Sequence, residues 1–395
     1  MSDNIKNIIG KVFNDIADAI ETGQFGEKVR VGITVLGSEH GVENIVKGAE
    51  LAQKRNSDVE VVLIGPKDVN TDLKIYEANT EEEQHKRMEE LLDSGEINSA
   101  VTMHYTFPLG VSTVGRVITP GKGREMFIAT TTGTSSAHRV EGMVKNALYG
   151  IITAKAMGIK NPTVGLLNVD GVRQVERALN ELRANGYEFE FAESMRSDGG
   201  SVMRGNDLLA GTPDVMVTDS LTGNLLMKVF SSYTTGGDYE AMGYGYGPGI
   251  GEDYERTILI LSRASGVPVV ANAIEFAASL AKGKVIDVSK EEFAKAKKAK
   301  FDEILKGLKK DAKKESAEDA GEVVAPPKEV VTGSISGVDI MELEDAVKAL
   351  WKNGIYAESG MGCTGPIVMV NEGKVDQAIQ VLVKAGYIAG EANPC

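Results

Sequence analysis

Cysteine is almost missing from this sequence: of 395 residues only Cys363 and Cys395 carry a thiol. So few thiols exclude a disulfide framework and a cysteine-built metal site, which leaves thiol chemistry as the remaining use. Positive charge is also short, with 43 Lys and Arg against 57 Asp and Glu and a net charge of -14. That field repels phosphate backbones and anionic lipid, so neither nucleic acid nor a membrane is an expected partner. Apolar runs stop well short of the ~20 residues that span a bilayer, and the start MSDNIKNIIGKVF has no long apolar stretch behind a basic one, so a cytoplasmic protein is expected. His40, His85 and His104 lack ligand spacing, and no metal is expected.

What is present is globular. Hydrophobic residues make up 42% and charged residues 25%, with 45 glycines and 11 prolines, and the length suits two or three domains. Residues 1–28 place Ile5, Ile8, Ile9, Val12, Phe13, Ile16 and Ile20 three and four apart, the spacing of an amphipathic helix. From residue 29 to 289 short β-branched runs alternate with helical stretches. VRVGITV (30–36), VEVVLIG (59–65), SAVTMHY (99–105) and EMFIATTT (125–132) read as strands, with helices over 42–55, 81–92 and 136–157. A second series contains TVGLLNV (163–169), YEFEFAE (187–193), DVMVTD (214–219) and PVVAN (268–272). Near-continuous apolar strands between helices indicate α/β architecture, here two halves joined by one long helix with a cleft between them.

Residues 290–332 change character, being rich in Lys, Ala and Glu and closed by AGEVVAPP. They read as a helical, then flexible linker. The same letters also fit a helix packed on the α/β body through Phe293, Phe301, Ile304 and Leu308. Residues 333–395 form a small α+β unit, with helices over 338–351 and 374–385 and strands at 355–358 and 367–370. Between those strands lies SGMGCTGP, which sets Cys363 in a turn with Gly360, Gly362 and Gly365 around it. Glycines admit a large group close to the sulfur, and inert buried cysteines usually sit among aliphatic neighbours instead. Cys363 therefore reads as a reactive thiol, although no Lys, Arg or His in the loop lowers its pKa. Cys395 reads as an exposed terminal thiol.

Two further segments carry possible chemistry. TTTGTSSAHR (130–139) passes from a strand into a helix, so Thr132, Gly133, Thr134, Ser135 and Ser136 face a helix N-terminus suited to an anion, with His138 and Arg139 beside it. PDVMVTDSLTGNLLMK (213–228) repeats the form with Asp219, Ser220, Thr222, Gly223 and Asn224, and brings Lys228 along the helix. An ordinary capped helix start explains either segment equally well. GYGYGPGIGEDYER (243–256) lacks a dinucleotide fingerprint.

NPTVGLLNVDGV (161–172), PDVMVTDSLTGNLLMK and VRVGITVLGSEHGVENIVKGAELAQ resemble the phosphate acyltransferase family and the related phosphotransacetylases. The resemblance covers roughly residues 29–285 and implies the two-half fold shared with isocitrate and isopropylmalate dehydrogenases. This chain has GSEHG where those acyltransferases carry a Gly-Gly-Asp motif, and SAVTMHYTFPLGVSTVGRV lacks their signature. With GMGCTGPIVMV included, the whole chain resembles the alpha subunits of component C of glycine, sarcosine and betaine reductase. That family implies an acetyl thioester on Cys363, formed from a carboxymethyl group on the selenium of selenoprotein A and released by phosphate as acetyl phosphate. It implies a component C beta subunit as partner, an oligomeric assembly and no cofactor. A conventional acyltransferase acting on acyl-CoA or acyl carrier protein, and a non-catalytic scaffold, are the alternatives.

Overall fold

The computed structural model describes residues 13, 16, 17, 28–197, 199–308, 323–362 and 365–388. The expected N-terminal helix lies outside the described residues apart from Phe13, Ile16 and Ala17, which are helical, and Lys28.

The strands, numbered in chain order, are β1 (Val29–Thr34), β2 (Val59–Gly65), β3 (Lys74–Glu77), β4 (Ser99–Thr102), β5 (Ser112–Ile118), β6 (Glu125–Gly133), β7 (Thr163–Leu167), β8 (Glu190–Phe191), β9 (Val202–Met203), β10 (Val215–Val217), β11 (Gly247–Ile250) and β12 (Ile258–Ile260). They form one 12-stranded sheet in the order β3-β2-β1-β4-β12-β11-β5-β6-β10-β7-β8, with β9 on β7. The outer strands pair in parallel within two groups, β3 to β12 and β6 to β8. Their apolar residues are buried by helices on both faces, as parallel strands require.

The centre differs from the expectation of two halves joined by a helix. β12 to β11, β11 to β5 and β5 to β6 are all antiparallel, so the two groups are fused through the sheet and their strands run in opposite directions. β5, β11 and β12 escape a reading by apolar runs because they are short or rich in Gly, Ser and Thr. Gly247 shows what their approach demands: its φ is 83°, and a Cβ there would lie 1.7 Å from the Val114 carbonyl oxygen.

PVVAN is not a strand. It opens the helix Val267–Lys282, with Pro268 in the first turn, where a missing N–H leaves no hydrogen bond unmade. Val269, Val270 and Phe276 are fully buried, so packing overrides the β-branched propensity. The predicted helices over 42–55 and 81–92 appear as Val42–Arg55 and Glu81–Asp93.

Residues 290–308 belong to the α/β body rather than to a linker. Helix Val285–Lys298 and a helix over 301–308 bury Phe293, Phe301, Ile304 and Leu305 in the main core. Residues 309–322 lie outside the described residues. The small unit contains β13 (Gly333–Ser336), β14 (Ala357–Gly362) and β15 (Gly365–Val370), antiparallel in the order β13-β15-β14. Helices Leu343–Lys352 and Val375–Lys384 cover it, and Ile335, Leu350, Val368, Val370 and Leu382 form its own core.

If residues 290–308 are part of the body, Phe301→Ala should cost about 3–5 kcal/mol, read as a fall in the urea midpoint of the main transition. A change below about 0.5 kcal/mol would instead mark the helix as an appendage.

Candidate active site

Both predicted turns lie at the carboxyl ends of the second strand group, where parallel sheets present their ligand-binding loops. β6 leaves the sheet at Gly133, and the chain enters the helix Arg139–Ala156. Within this turn Ser135 is an internal tie. It is 5% exposed, its Oγ lies 2.6 Å from Ser112 Oγ, and it donates to Asn146 Oδ1. Thr132 and Gly133 are half-buried, while Thr134 is exposed and its carbonyl accepts from Gly110 N–H at 2.9 Å. Ser136 Oγ accepts from His138 N–H at 3.1 Å.

At the neighbouring strand end, Asp219 caps the helix Ser220–Ser232. Its Oδ1 accepts from Thr222 N–H at 3.0 Å, and its Oδ2 from Thr222 Oγ1 at 2.7 Å and Arg139 Nη2 at 2.9 Å. Burial opposes the charge, but the Thr222 and Arg139 hydrogen bonds outweigh it and hold the carboxyl below the usual range. A carboxylate so committed is a poor proton acceptor; its work is to cap the helix and hold Arg139.

The two turns meet. Asn224 Nδ2 donates to the Thr131 carbonyl at 3.1 Å, and Arg139 reaches across to Asp219. Gly223 allows this approach, since a Cβ there would lie 1.8 Å from the Thr130 oxygen. Ser220 and Leu221 N–H, the first two of the helix, have no acceptor among the described residues. Such groups favour negative charge. Lys228 does not join them. It lies about 12 Å farther along the axis, with Nζ 2.7 Å from Glu240 Oε1 and 2.6 Å from Ser262 Oγ, beyond the end of β12.

The small unit docks on this same edge. Asp339 Oδ1 accepts from Gly171 N–H at 3.3 Å and Oδ2 from Arg173 N–H at 3.2 Å, so a carboxylate sits at the N-terminus of helix Val172–Ala184. Beside it Glu342 Oε1 accepts from Arg177 Nη2 at 2.6 Å and Gln174 Nε2 at 3.1 Å. Burial pushes the Glu342 carboxyl up, against the Arg177 charge. Between body and small unit lies a cavity of about 210 Å³, whose walls include Asp170, Arg173, Arg196 and Arg204 from the body and Asp339 and Pro366 from the small unit. No spacing in the sequence announces these arginines, because a helix start and two separate strand ends bring them together. Arg139 links this cavity to the capped helix, with Nη1 3.5 Å from Asp170.

Cys363 and Cys395 lie outside the described residues. The strands flanking Cys363 pair as far as Gly362 and Gly365. A larger cavity of about 950 Å³, bordered by Lys155, Arg183, Glu292 and Lys295, includes none of the predicted site residues. Among the described residues no group of three His, Cys, Asp or Glu side chains is placed to share a metal ion, and no helix is long and apolar enough to cross a membrane.

Comparison with known proteins adds the following. A family model described as fatty acid synthesis protein matches residues 29–369. The glycine/sarcosine/betaine reductase complex component C subunit alpha of Peptoclostridium acidaminophilum is 71% identical over 389 residues, 98% of this chain and 100% of that one. A phosphate acyltransferase of Thermotoga petrophila is 29% identical over 238 residues, 51% of this chain and 67% of its own. The crystal structure of a branched-chain phosphotransacylase from Enterococcus faecalis V583 aligns at 13% identity with a TM-score of 0.42, covering 64% of this chain and 99% of that one.

Asp219→Ala should remove about 1–2 kcal/mol at neutral pH through loss of the cap. Because the folded pKa is lowered, this stability is full above the ordinary carboxylate pKa of ~4 and lost as pH falls through the folded value. Wild-type and variant denaturation curves should thus converge in acid. Docking should respond oppositely to Glu342: its raised pKa means the docked form holds the proton more tightly, so docking weakens as pH rises through that value. Asp339→Ala should enlarge the radius of gyration measured by X-ray scattering at neutral pH; an unchanged radius would show that Asp339 does not hold the unit.

Proposed function

The chain belongs to the fatty acid synthesis protein family, on the branch formed by the alpha subunits of glycine/sarcosine/betaine reductase component C, and from that premise we propose that it is an acyltransferase subunit that forms acetyl phosphate from an acetyl thioester on Cys363. In this reading selenoprotein A delivers a carboxymethyl group on selenium. The Cys363 thiol takes the two-carbon unit as an acetyl thioester, the selenium leaves bonded to a thiol sulfur of the partner, and one carboxyl oxygen departs as water. Selenium and that thiol supply the two electrons that turn the methylene into a methyl group. A component C beta subunit and an oligomeric assembly in the cytoplasm complete the proposal.

Phosphorolysis follows without redox change. A phosphate oxygen attacks the thioester carbon, the C–S bond breaks, and the proton of hydrogen phosphate passes to the departing thiolate. A thiolate leaves readily, so the protein must chiefly position an anion and stabilise the carbonyl oxygen. The N–H groups of Ser220 and Leu221 are the proposed oxyanion donors, with Thr132 to Ser136 and Asn224 shaping their surroundings. Ser135 and Asp219 act by holding that shape, and Lys228 by tying the far end of the helix to Glu240. The opposed strand groups support reading residues 29–308 as the two halves of the isocitrate and isopropylmalate dehydrogenase fold.

The observation that carries this reading is the wall of the 210 Å³ cavity, where Pro366 of the cysteine-bearing hairpin faces arginines at the carboxyl edge of the body. Because residues 290–308 pack on the body, the linker expected over 290–332 can begin only after them.

Incubation with a small acetyl donor or the charged selenoprotein should add one acetyl group, mapped to Cys363 by peptide mass analysis and discharged by phosphate or arsenate. Cys363→Ala should take up none. A variant that still makes acetyl phosphate from acetyl-CoA at the wild-type rate would favour a conventional phosphate acyltransferase instead.

A further inference from the structure

The cavity between the body and the small unit has the chemistry of a small-anion site. Its arginines come from three places: Arg173 from the first turn of helix Val172–Ala184, Arg196 from the loop after β8, and Arg204 from the residue after β9. Two acidic residues also line it, and both have partners. Asp339 accepts from backbone N–H groups, and Asp170 lies 3.5 Å from Arg139. Arg173 shares its guanidinium with Glu176 at 2.8 Å. The wall thus presents three guanidinium groups and two carboxylates, and the planar donor fork of arginine matches phosphate oxygens.

Size narrows the occupant. At about 210 Å³ the cavity falls below the roughly 300–1,000 Å³ of pockets that enclose drug-sized ligands. A free oxyanion fits this class better than a nucleotide-bearing thiol such as coenzyme A. We infer that the cavity bordered by Arg173, Arg196 and Arg204 binds inorganic phosphate and holds it for attack on the acyl group. The role assigned to the bound ion rests on the reading of Cys363 as the acyl carrier, whereas the binding itself does not. The site is completed only in the docked arrangement, because Asp339 and Pro366 supply part of its wall.

The test is calorimetric titration of the full-length chain with inorganic phosphate, comparing wild type with Arg196→Gln, Arg204→Gln and Lys295→Gln. Each arginine variant should weaken binding about tenfold or more, while Lys295→Gln, at the border of the other cavity, binds as wild type. If either arginine variant fails to fold by circular dichroism, Arg173→Gln carries the same expectation. Arginine variants that bind as wild type, a wild type that binds no phosphate, or loss confined to Lys295→Gln would overturn the inference. Displacement of phosphate by equimolar coenzyme A would also overturn the assignment to a free ion. The carrier reading fails separately: Cys363 would then take up no acetyl, while the arginine variants would still lose phosphate. If both hold, the arginine variants load acetyl normally and need about tenfold more phosphate to discharge it.

Discussion

Three successive antiparallel steps at the centre of the sheet, β12 to β11 to β5 to β6, set the arrangement of everything else. They fuse two parallel groups into one sheet while reversing its direction, so the carboxyl ends of the groups face opposite ways. Loops that bind ligands collect at such ends. The chain therefore has two edges of this kind rather than one shared cleft. Helix Ser220–Ser232 begins at one of them and runs toward the other, which is why PDVMVTDSLTGNLLMK divides on folding. Asp219 and Asn224 serve the β6 and β10 edge, while Lys228 pairs with Glu240 and Ser262 near the end of β12.

That division marks the limit of what was legible in the sequence. Local pattern was sufficient where local forces decide. The run at 59–65 is a buried strand at those bounds, helix 42–55 keeps its predicted span, and Asp219 caps the helix whose start its letters suggest. Pattern misleads where packing decides. PVVAN is β-branched, yet buried helix packing outweighs a propensity difference of well under 1 kcal/mol per residue. Phe293, Phe301 and Ile304 did form an apolar stripe, but the Lys and Glu around them read equally well as a solvated arm. Burying three such side chains contributes several kcal/mol, enough to hold the helix on the body. The arginines at 173, 196 and 204 carry no periodic signal. They become neighbours only because β7, β8 and β9 end at one edge.

Attachment of the small unit rests on the same physics as a helix cap. Asp339 occupies the N-terminus of helix Val172–Ala184, where unpaired N–H groups and the dipole contribute about 0.3–1 kcal/mol, more when partly buried. Glu342 is less comfortable. Its Oε1 pairs with Arg177 and Gln174, but Oε2 is buried without a partner among the described residues, and burial raises its pKa. An imperfectly satisfied buried carboxylate offsets much of what its ion pair contributes. The contact therefore combines one well-seated carboxylate with one strained by burial. Such a joint is specific in geometry yet modest in strength.

The acidity of the chain is compatible with an anionic substrate because the two charges act at different ranges. A net charge of -14 is spread over the surface, and salt screens it beyond about 8 Å at physiological ionic strength. In the proposed site a phosphate ion would lie among the guanidinium groups of Arg173, Arg196 and Arg204, in a setting partly withdrawn from water, where each charge counts for more than it does in bulk. Arg139 extends this local field toward the capped helix by pairing with both Asp170 and Asp219. The carboxylates that make the chain acidic are thus spent locally on orienting cations and N–H groups. Docking then decides whether the wall they frame is complete, so under the proposed function anion capture and delivery of the acyl group depend on one joint.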